Sequence, residues 1–439
     1  MRNPLVLQHG RIIDPSAEVD MVGDVLINDG VIVQIGTLEQ LPEQCTKLDC
    51  EGCIVSPGFI DLHVHFREPS SGRHEETIAT GAAAAAVGGF TTVCTMPNTS
   101  PAIDNPELVA AAIVTGKKVG NCRVLPTGCA TIGRQGQQLA PIAAMKDAGA
   151  VAFTDDGNVI ESDAMMSAVL AAAKSVDRCV MQHCQDPATT VGGVMHAGEI
   201  QEELGYVGWP REAEESIIER DLRLNSDINC AWHAQHLSSG GSIAIIEAAQ
   251  QSGQRATGEA SPHHLLLTDS ACKDLGTVAK MNPPLRNQSD IDAIKDGIAR
   301  SIITILATDH APHPRETKDL PFPEASFGVV GVECALALYI KALIHEGVIG
   351  WSQLLAMMTL HPATLIGRPD LGCLRMGGNA DITVIDPEFE WTINASEFQS
   401  TGRNCPFDGW NVKGKPIATI LGGNITHSCL QDPTQIDIT

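Results

Sequence analysis

Apolar and polar positions change rhythm twice along the chain. Over the first ~57 residues, short alternating runs (LVLQHGRIID, DVLINDGVIVQIG, CIVSPG) are broken by turns, with Asp29-Gly30 as a hairpin signal, and predict an all-β opening. From Phe59 onward the alternation gives way to continuous apolar runs: FIDLHVHF, FTTVCTM, CRVLPTG, VAFTDD, CVMQHC, CAWHAQH and SIITILATDH. Ala-rich stretches of helical texture separate them, which predicts βα units and a parallel sheet. About eight such units across ~300 residues fit a (β/α)8 TIM barrel over 58–372, an α/β fold whose active site lies where the strands end. Strand texture returns after Gly372 in ADITVIDP, EWTI and PIATILGGNI, with Gly377-Gly378 and Gly422-Gly423 as turns. Residues 1–57 and 373–439 are therefore expected to pair into one small β-sandwich domain. Ala82 to Ala86 reads as a helix whose small side chains let it sit close to the sheet.

Composition narrows the class of function. Hydrophobic residues at 43% and charged residues at 19% describe a globular chain with material for a large core. The 53 acidic against 29 basic residues leave a formal charge of −24, which repels phosphate backbones and anionic bilayers. Nucleic acid and membrane are thus excluded as expected partners, and an anionic small substrate would need locally placed cations. No window approaches the ~18 apolar residues of a membrane span, and MRNPLVLQHGRIIDP has no signal-peptide run, so a cytoplasmic location is expected. The fourteen cysteines then read as buried free thiols, Cys50 and Cys53 of the lone CxxC included.

Candidate chemistry collects at the ends of the apolar runs. His63 and His65 lie two apart on a probable strand, so both imidazoles face one side and can hold one ion. Alone this pair is a weak metal signal. Asp155 in FTDDG, His183 in MQHCQD, His236 in WHAQHLS and Asp309 in ATDH supply further ligand types at other strand ends. Periodicity cannot separate Asp155 from its neighbour Asp156. His233, three residues before His236, would point elsewhere; His9, His74, His264 and His361 match no ligand motif and are assigned structural or surface roles.

The segments PGFIDLHVHFREPS, GGFTTVCTMPNTSPAID, FTDDG, KMNPPLR, ATDHAPH and SFGVVG together resemble the class I dihydroorotases of the amidohydrolase superfamily, and the likeness extends over nearly the whole chain. It implies reversible cyclisation of N-carbamoyl-L-aspartate to (S)-dihydroorotate plus water, a step of de novo pyrimidine biosynthesis. It also implies two zinc sites, with His63, His65 and Asp309 on the first metal and His183 and His236 on the second. Many relatives bridge the ions with a carboxylated lysine. AVAFTDDG offers none, and the resemblance puts Asp155 in its place, a shorter bridge that would weaken one site. Asp309 would be the general acid and base. Arg67, Asn98 and His313 match the family's clamp for the ring carboxylate. His65, Asn282 and the backbone at Phe327-Gly328 match its other substrate contacts, and Arg286 is taken as structural.

Two rival readings stand beside this one. The metal scaffold could serve another cyclic amide, as in allantoinases and hydantoinases, although the Arg67/Asn98/His313 set argues for a ring carboxylate. Alternatively the chain could be an inactive homologue serving as a structural partner of aspartate carbamoyltransferase, although the matched ligand positions are intact. The sequence leaves open a homodimer, an association with that carbamoyltransferase, and which loop moves; Asp156-Gly157-Asn158 and the stretch after His313 are the candidates.

Overall fold

The computed structural model describes residues 3–70 and 76–429, and the backbone of 436–438. His74 lies outside the described residues. Five strands open the chain: β1 (Leu5–Asp14), β2 (Val19–Asn28), β3 (Val31–Gly36), β4 (Thr46–Asp49) and β5 (Ile54–Pro57). The turn at Asp29-Gly30 has φ of 49° and 84°, the left-handed pair that a tight hairpin requires.

Next come β6 (Phe59–Val64), β7 (Phe90–Thr95), β8 (Arg123–Pro126), β9 (Ala152–Phe153) and β10 (Cys179–Gln182). A small parallel pair, β11 (Met195–His196) and β12 (Gly208–Trp209), precedes β13 (Trp232–Ala234), β14 (Ala256–Ala260) and β15 (Ile305–Leu306). Parallel pairing runs β6-β7-β8 in one group and β9-β10-β13-β14-β15 in another. Two parallel bridges join the groups, Gly128 to Phe153 and Val64 to His310, so that the run of strands returns on itself. The sequence repeats βα units because a parallel neighbour is reached only by a crossover, and the helices cover the outer face.

The last strands, β16 (Ile382–Thr392), β17 (Asn411–Leu421) and β18 (Asn424–Ser428), form an antiparallel meander that joins β5. Both terminal segments thereby share one sheet, in the order β18-β17-β16-β5-β1-β2-β3, with β4 pairing β1 and the backbone of Ile436–Ile438. They also share a core, in which Leu5, Leu7, Val25 and Ile27 pack with Ile382, Val384 and Ile420.

The Ala-rich segment is a helix, Ile78–Val87, with Ala82, Ala84, Ala85 and Ala86 buried. A Cβ at Gly81 would come within 2.3 Å of the Phe66 ring, so the small side chains are what let this helix rest against the residue that follows His65. All of the cysteines are free, and Cys50 and Cys53 are buried, with burial pushing the Cys53 thiol up to about 11. Neither of that pair is a nucleophile or a ready ligand. Among the described residues, no helix is long and apolar enough to cross a membrane.

Candidate metal centre

Asp61, His63 and His65 alternate along β6 and its extension, so their side chains share the inner face. Asp61 accepts from the backbone N–H of His63 (3.0 Å) and from the N–H and hydroxyl of Thr308 (3.1 and 2.6 Å), tying this strand to the one that carries Asp309. Burial pushes the Asp61 carboxyl up to about 7. Three site residues continue their strands with left-handed backbone: Arg67 (φ 50°), His236 (φ 32°) and Asp309 (φ 47°). Such a conformation in a non-glycine residue persists only where the surroundings enforce it, and it collects at functional sites.

His63, His65, His183 and His236 converge with Asp156 and Asp309. Their ligand atoms form three overlapping groups in which every atom lies within 4.8 Å of the others: His63/His65/Asp156, Asp156/His183/His236 and His63/His236/Asp309. His63 Nε2 is 3.4 Å from an oxygen of each aspartate, and His65 Nε2 is 3.0 Å from Asp309 Oδ1. Across the site, His183 Nδ1 and His236 Nε2 are 2.8 Å apart. His63 Nε2 is buried without a hydrogen-bond partner while it points at both carboxylates. An orphaned imidazole nitrogen beside two enclosed carboxylates is a donor set built for cations, and the residues fit one or two divalent ions.

The charges respond to this crowding. Burial disfavours the charged form of His63, yet Asp309, Asp156 and Glu259 outweigh it and hold the imidazole well above its ordinary value. The same balance runs the other way at Asp156 and Asp309, where burial is overcome by the facing imidazoles and the carboxyls stay ionised. His236, buried and beside His183, falls to about 3 and is neutral, whereas a bound cation would displace the proton that the carboxylates hold on His63.

The expectation that Asp155 joins the ligands is corrected. Its carboxylate turns away and accepts from the backbone N–H groups of Ala130 (2.9 Å) and Thr131 (3.0 Å) and from the Thr131 hydroxyl. Asp156 takes the inward position. Strand alternation is the reason: Thr154 faces inward, donating to Gln235 Oε1, so the residue two further on faces inward too and Asp155 faces out. Asp156 belongs to two of the three ligand groups, with His63/His65 in one and His183/His236 in the other, while Asp309 joins His63 and His236.

Sequence reasoning also missed Glu259, the penultimate residue of β14. Fully enclosed, it accepts from His63 Nδ1 (2.7 Å), His233 Nε2 (3.0 Å) and the backbone N–H of His236 (3.1 Å), so it aims two candidate ligands at once. Burial alone would raise its carboxyl, but His63 and His233 hold it down to about 2. A glutamate among the small residues of ATGEA was the available signal, because such a residue is almost never fully buried unless paired. His233 does point elsewhere, as expected, toward Glu259 and Thr257. His9 pairs with Asp49 at the surface; His264 binds the Pro283 carbonyl and His361 the Thr304 carbonyl. Arg286 is buried and donates to the Trp209 carbonyl.

A cavity of about 180 Å³ opens above the cluster, lined by His65, Arg67, Asn98, Asn282, His313, Phe327 and Gly328 among others. Arg67 Nη2 lies 3.4 Å from His313 Nε2, and Asn98 Oδ1 accepts from His65 Nδ1 (2.9 Å). Burial and the Arg67 guanidinium push His313 down to about 3, so the ring is neutral and Arg67 is the cation at this end of the cavity. The Phe327-Gly328 segment is held from behind by Lys318, which donates to the carbonyls of Lys280, Ser326 and Gly328. A cavity with a metal-ligand floor and an arginine on its wall can polarise a carbonyl at one end of a small molecule while binding an anion at the other.

Comparison with known proteins finds relatives over nearly the whole chain. The family model described as Dihydro-orotase-like matches residues 52–242. The dihydroorotase of Syntrophotalea carbinolica is 41% identical over 96% of this chain and 99% of its own length. That of Pelotomaculum thermopropionicum is 42% identical over 96% of this chain and 98% of its own. Among solved structures, the L-hydantoinase (dihydropyrimidinase) of Arthrobacter aurescens superposes with a TM-score of 0.87 at 23% identity, covering 98% of this chain and 96% of that one. The dihydropyrimidinase of Brevibacillus agri gives a TM-score of 0.81 at 21% identity over 96% and 94%. At those identities the two structures speak to the fold alone.

Proposed function

The chain belongs to the dihydroorotase family, and from that membership we propose that it interconverts N-carbamoyl-L-aspartate and (S)-dihydroorotate by zinc-dependent chemistry at the cluster around Asp156 and Asp309. The observation that carries the reading is the pairing of two ligand groups that share Asp156 with a carboxylate-sized cation site, Arg67 beside a neutral His313. The fold is read as the (β/α)8 barrel of 58–372 with the terminal sheet as a second domain; closure of the parallel pairing through Gly128/Phe153 and Val64/His310 supports it.

His63, His65, Asp156, His183, His236 and Asp309 would hold the ions, His63/His65 on one side and His183/His236 on the other. When bound, divalent zinc supplies a water acidic enough to attack at neutral pH and polarises the reacting carbonyl. Everything else is done by the chain. Asp309 takes the proton from the attacking water at a carboxylate oxygen and returns it to the departing ring nitrogen, and in the reverse direction it removes a proton from the ureido nitrogen. Arg67, Asn98 and His313 bind the carboxylate that the ring retains, which fixes the reactive amide over the cluster. Asn282 and the Phe327-Gly328 backbone contact the ring amides.

An assay of the purified protein on dihydroorotate, allantoin and dihydrouracil, with zinc quantified on the same sample, tests the proposal. Turnover of dihydroorotate with at least one zinc per chain is expected. Turnover of the other two substrates alone would replace it with a different cyclic amidase, and absence of both zinc and activity would favour an inactive partner of aspartate carbamoyltransferase.

A further inference from the structure

Between the metal cluster and the cavity wall runs a chain of hydrogen bonds whose direction is fixed. The Thr190 hydroxyl donates to the Asp186 carbonyl (3.0 Å), so its oxygen is left to accept, and Gln185 Nε2 donates to it (3.2 Å). That orients the Gln185 amide with its oxygen toward the site. Gln185 Oε1 accepts twice, from His183 Nε2 (3.0 Å) and from Asn282 Nδ2 (3.1 Å). Two consequences follow from one oxygen. His183 carries its proton on Nε2, which leaves Nδ1, the atom that faces Asp156 and His236, free to bind a cation. Asn282 spends a donor on Gln185, and its carbonyl oxygen Oδ1 is buried and without a partner in a side chain that lines the cavity.

We propose that Gln185 is a positioning residue that sets His183 as a metal ligand and Asn282 as a hydrogen-bond acceptor for a substrate N–H. The inference rests on the proposed function and deepens it. A buried carbonyl oxygen with no partner disfavours an empty or mismatched cavity, and it is satisfied by a ligand that presents an N–H, such as the ureido group or its cyclic amide form. A ring with an ether or ester oxygen at that position would leave two acceptors facing one another. Specificity for the N–H therefore originates at Thr190 and Gln185, which touch no substrate.

The test uses the full-length zinc-loaded protein. Gln185→Leu removes the accepting oxygen; Gln185→Glu keeps one; Thr190→Val removes only the group that orients the amide. Gln185→Leu should raise KM for dihydroorotate on the order of tenfold with a smaller change in kcat. It should also release zinc at roughly tenfold lower chelator concentration than wild type. Gln185→Glu should restore zinc retention, and Thr190→Val should raise KM a few-fold without loss of fold. In the Gln185→Leu/Asn282→Ala double variant, KM should be no higher than in Asn282→Ala alone, because no amide remains to orient. Unchanged KM and zinc retention in Gln185→Leu, or losses that multiply in the double variant, would overturn the proposal. Failure of the wild type to turn over dihydroorotate would sink the proposed function instead, while zinc release from Gln185→Leu and Gln185→Glu still decides the His183 limb.

Discussion

Replacing each member of the Asp155-Asp156 pair by asparagine tests whether Asp156 is the shared metal ligand and Asp155 a structural carboxylate. Asp156 has oxygens 3.4 to 3.9 Å from nitrogens of His63, His65, His183 and His236, so Asp156→Asn takes an anion from between four imidazoles and from both ligand groups that contain it. Zinc should fall well below one per chain after dialysis, and kcat/KM should drop by at least ~10²-fold, as expected when a first ligand is lost. The apo protein should melt near the wild-type apo temperature, since among the described residues the Asp156 carboxylate accepts from no backbone N–H and only from Asn98 Nδ2 at 3.4 Å besides the imidazoles. Asp155 is the reverse case. Its carboxylate accepts two backbone N–H groups at Oδ1 and the Thr131 hydroxyl at Oδ2, and the asparagine amide would set a donor against that hydroxyl, which costs about 2–3 kcal/mol. With an unfolding entropy of ~0.9 kcal/mol per kelvin for a chain of this length, Asp155→Asn should lower Tm by ~2–3 °C and keep its zinc. Elemental analysis, melting in chelator and steady-state kinetics on the two variants make the comparison. Zinc loss in Asp155→Asn with retention in Asp156→Asn would refute the alternation argument.

Arg67→Met should lower kcat/KM for dihydroorotate roughly thirtyfold through loss of a charge-assisted anchor, mostly in KM; equal activity with wild type would remove the case for Arg67 as the carboxylate partner. Asp309→Asn should keep the fold and much of the zinc, with kcat down by ~10²-fold or more; retention of more than a tenth of wild-type kcat would place the proton elsewhere. Burial and the neighbouring Lys280 lower Lys318 to about 7 from an ordinary 10.5. Because the folded state then binds fewer protons than the unfolded state between those values, wild-type stability should rise relative to Lys318→Met as pH increases from 7 to 10. A difference in Tm that stays constant over that range would contradict it.

Much of this was legible because two periodicities carried it. Period-2 alternation placed His63 and His65 on one face, and the recurrence of polar residues where apolar runs stop placed His183, His236 and Asp309 in the same ring end. What was not legible was phase. In FTDDG either aspartate could face inward, and only the bond from Thr154 to Gln235, a residue distant in sequence, decides for Asp156. Glu259, Gln185 and Lys318 were missed for a related reason: each acts on a residue brought near by the fold, and no local spacing marks such a pair. The left-handed backbone of Arg67, His236 and Asp309 was equally invisible, since none is a glycine or lies in a turn signature.

The net charge and the site make opposite demands on an anionic substrate, and ionic strength separates them. The formal charge of −24 repels carbamoyl aspartate, a dianion, more than dihydroorotate, a monoanion. That repulsion is long-range and is screened as the Debye length shortens from ~30 Å at 0.01 M salt to ~8 Å at 0.15 M. Arg67 attracts at contact distance inside a cavity, where screening is weak. Raising salt over this range should therefore increase kcat/KM, by a few-fold for carbamoyl aspartate and by less for dihydroorotate. Steady-state rates in both directions at constant pH and zinc provide the measurement. A fall in kcat/KM with salt, equal for the two substrates, would mean that the local potential at the cavity mouth already outweighs the charge of the whole chain.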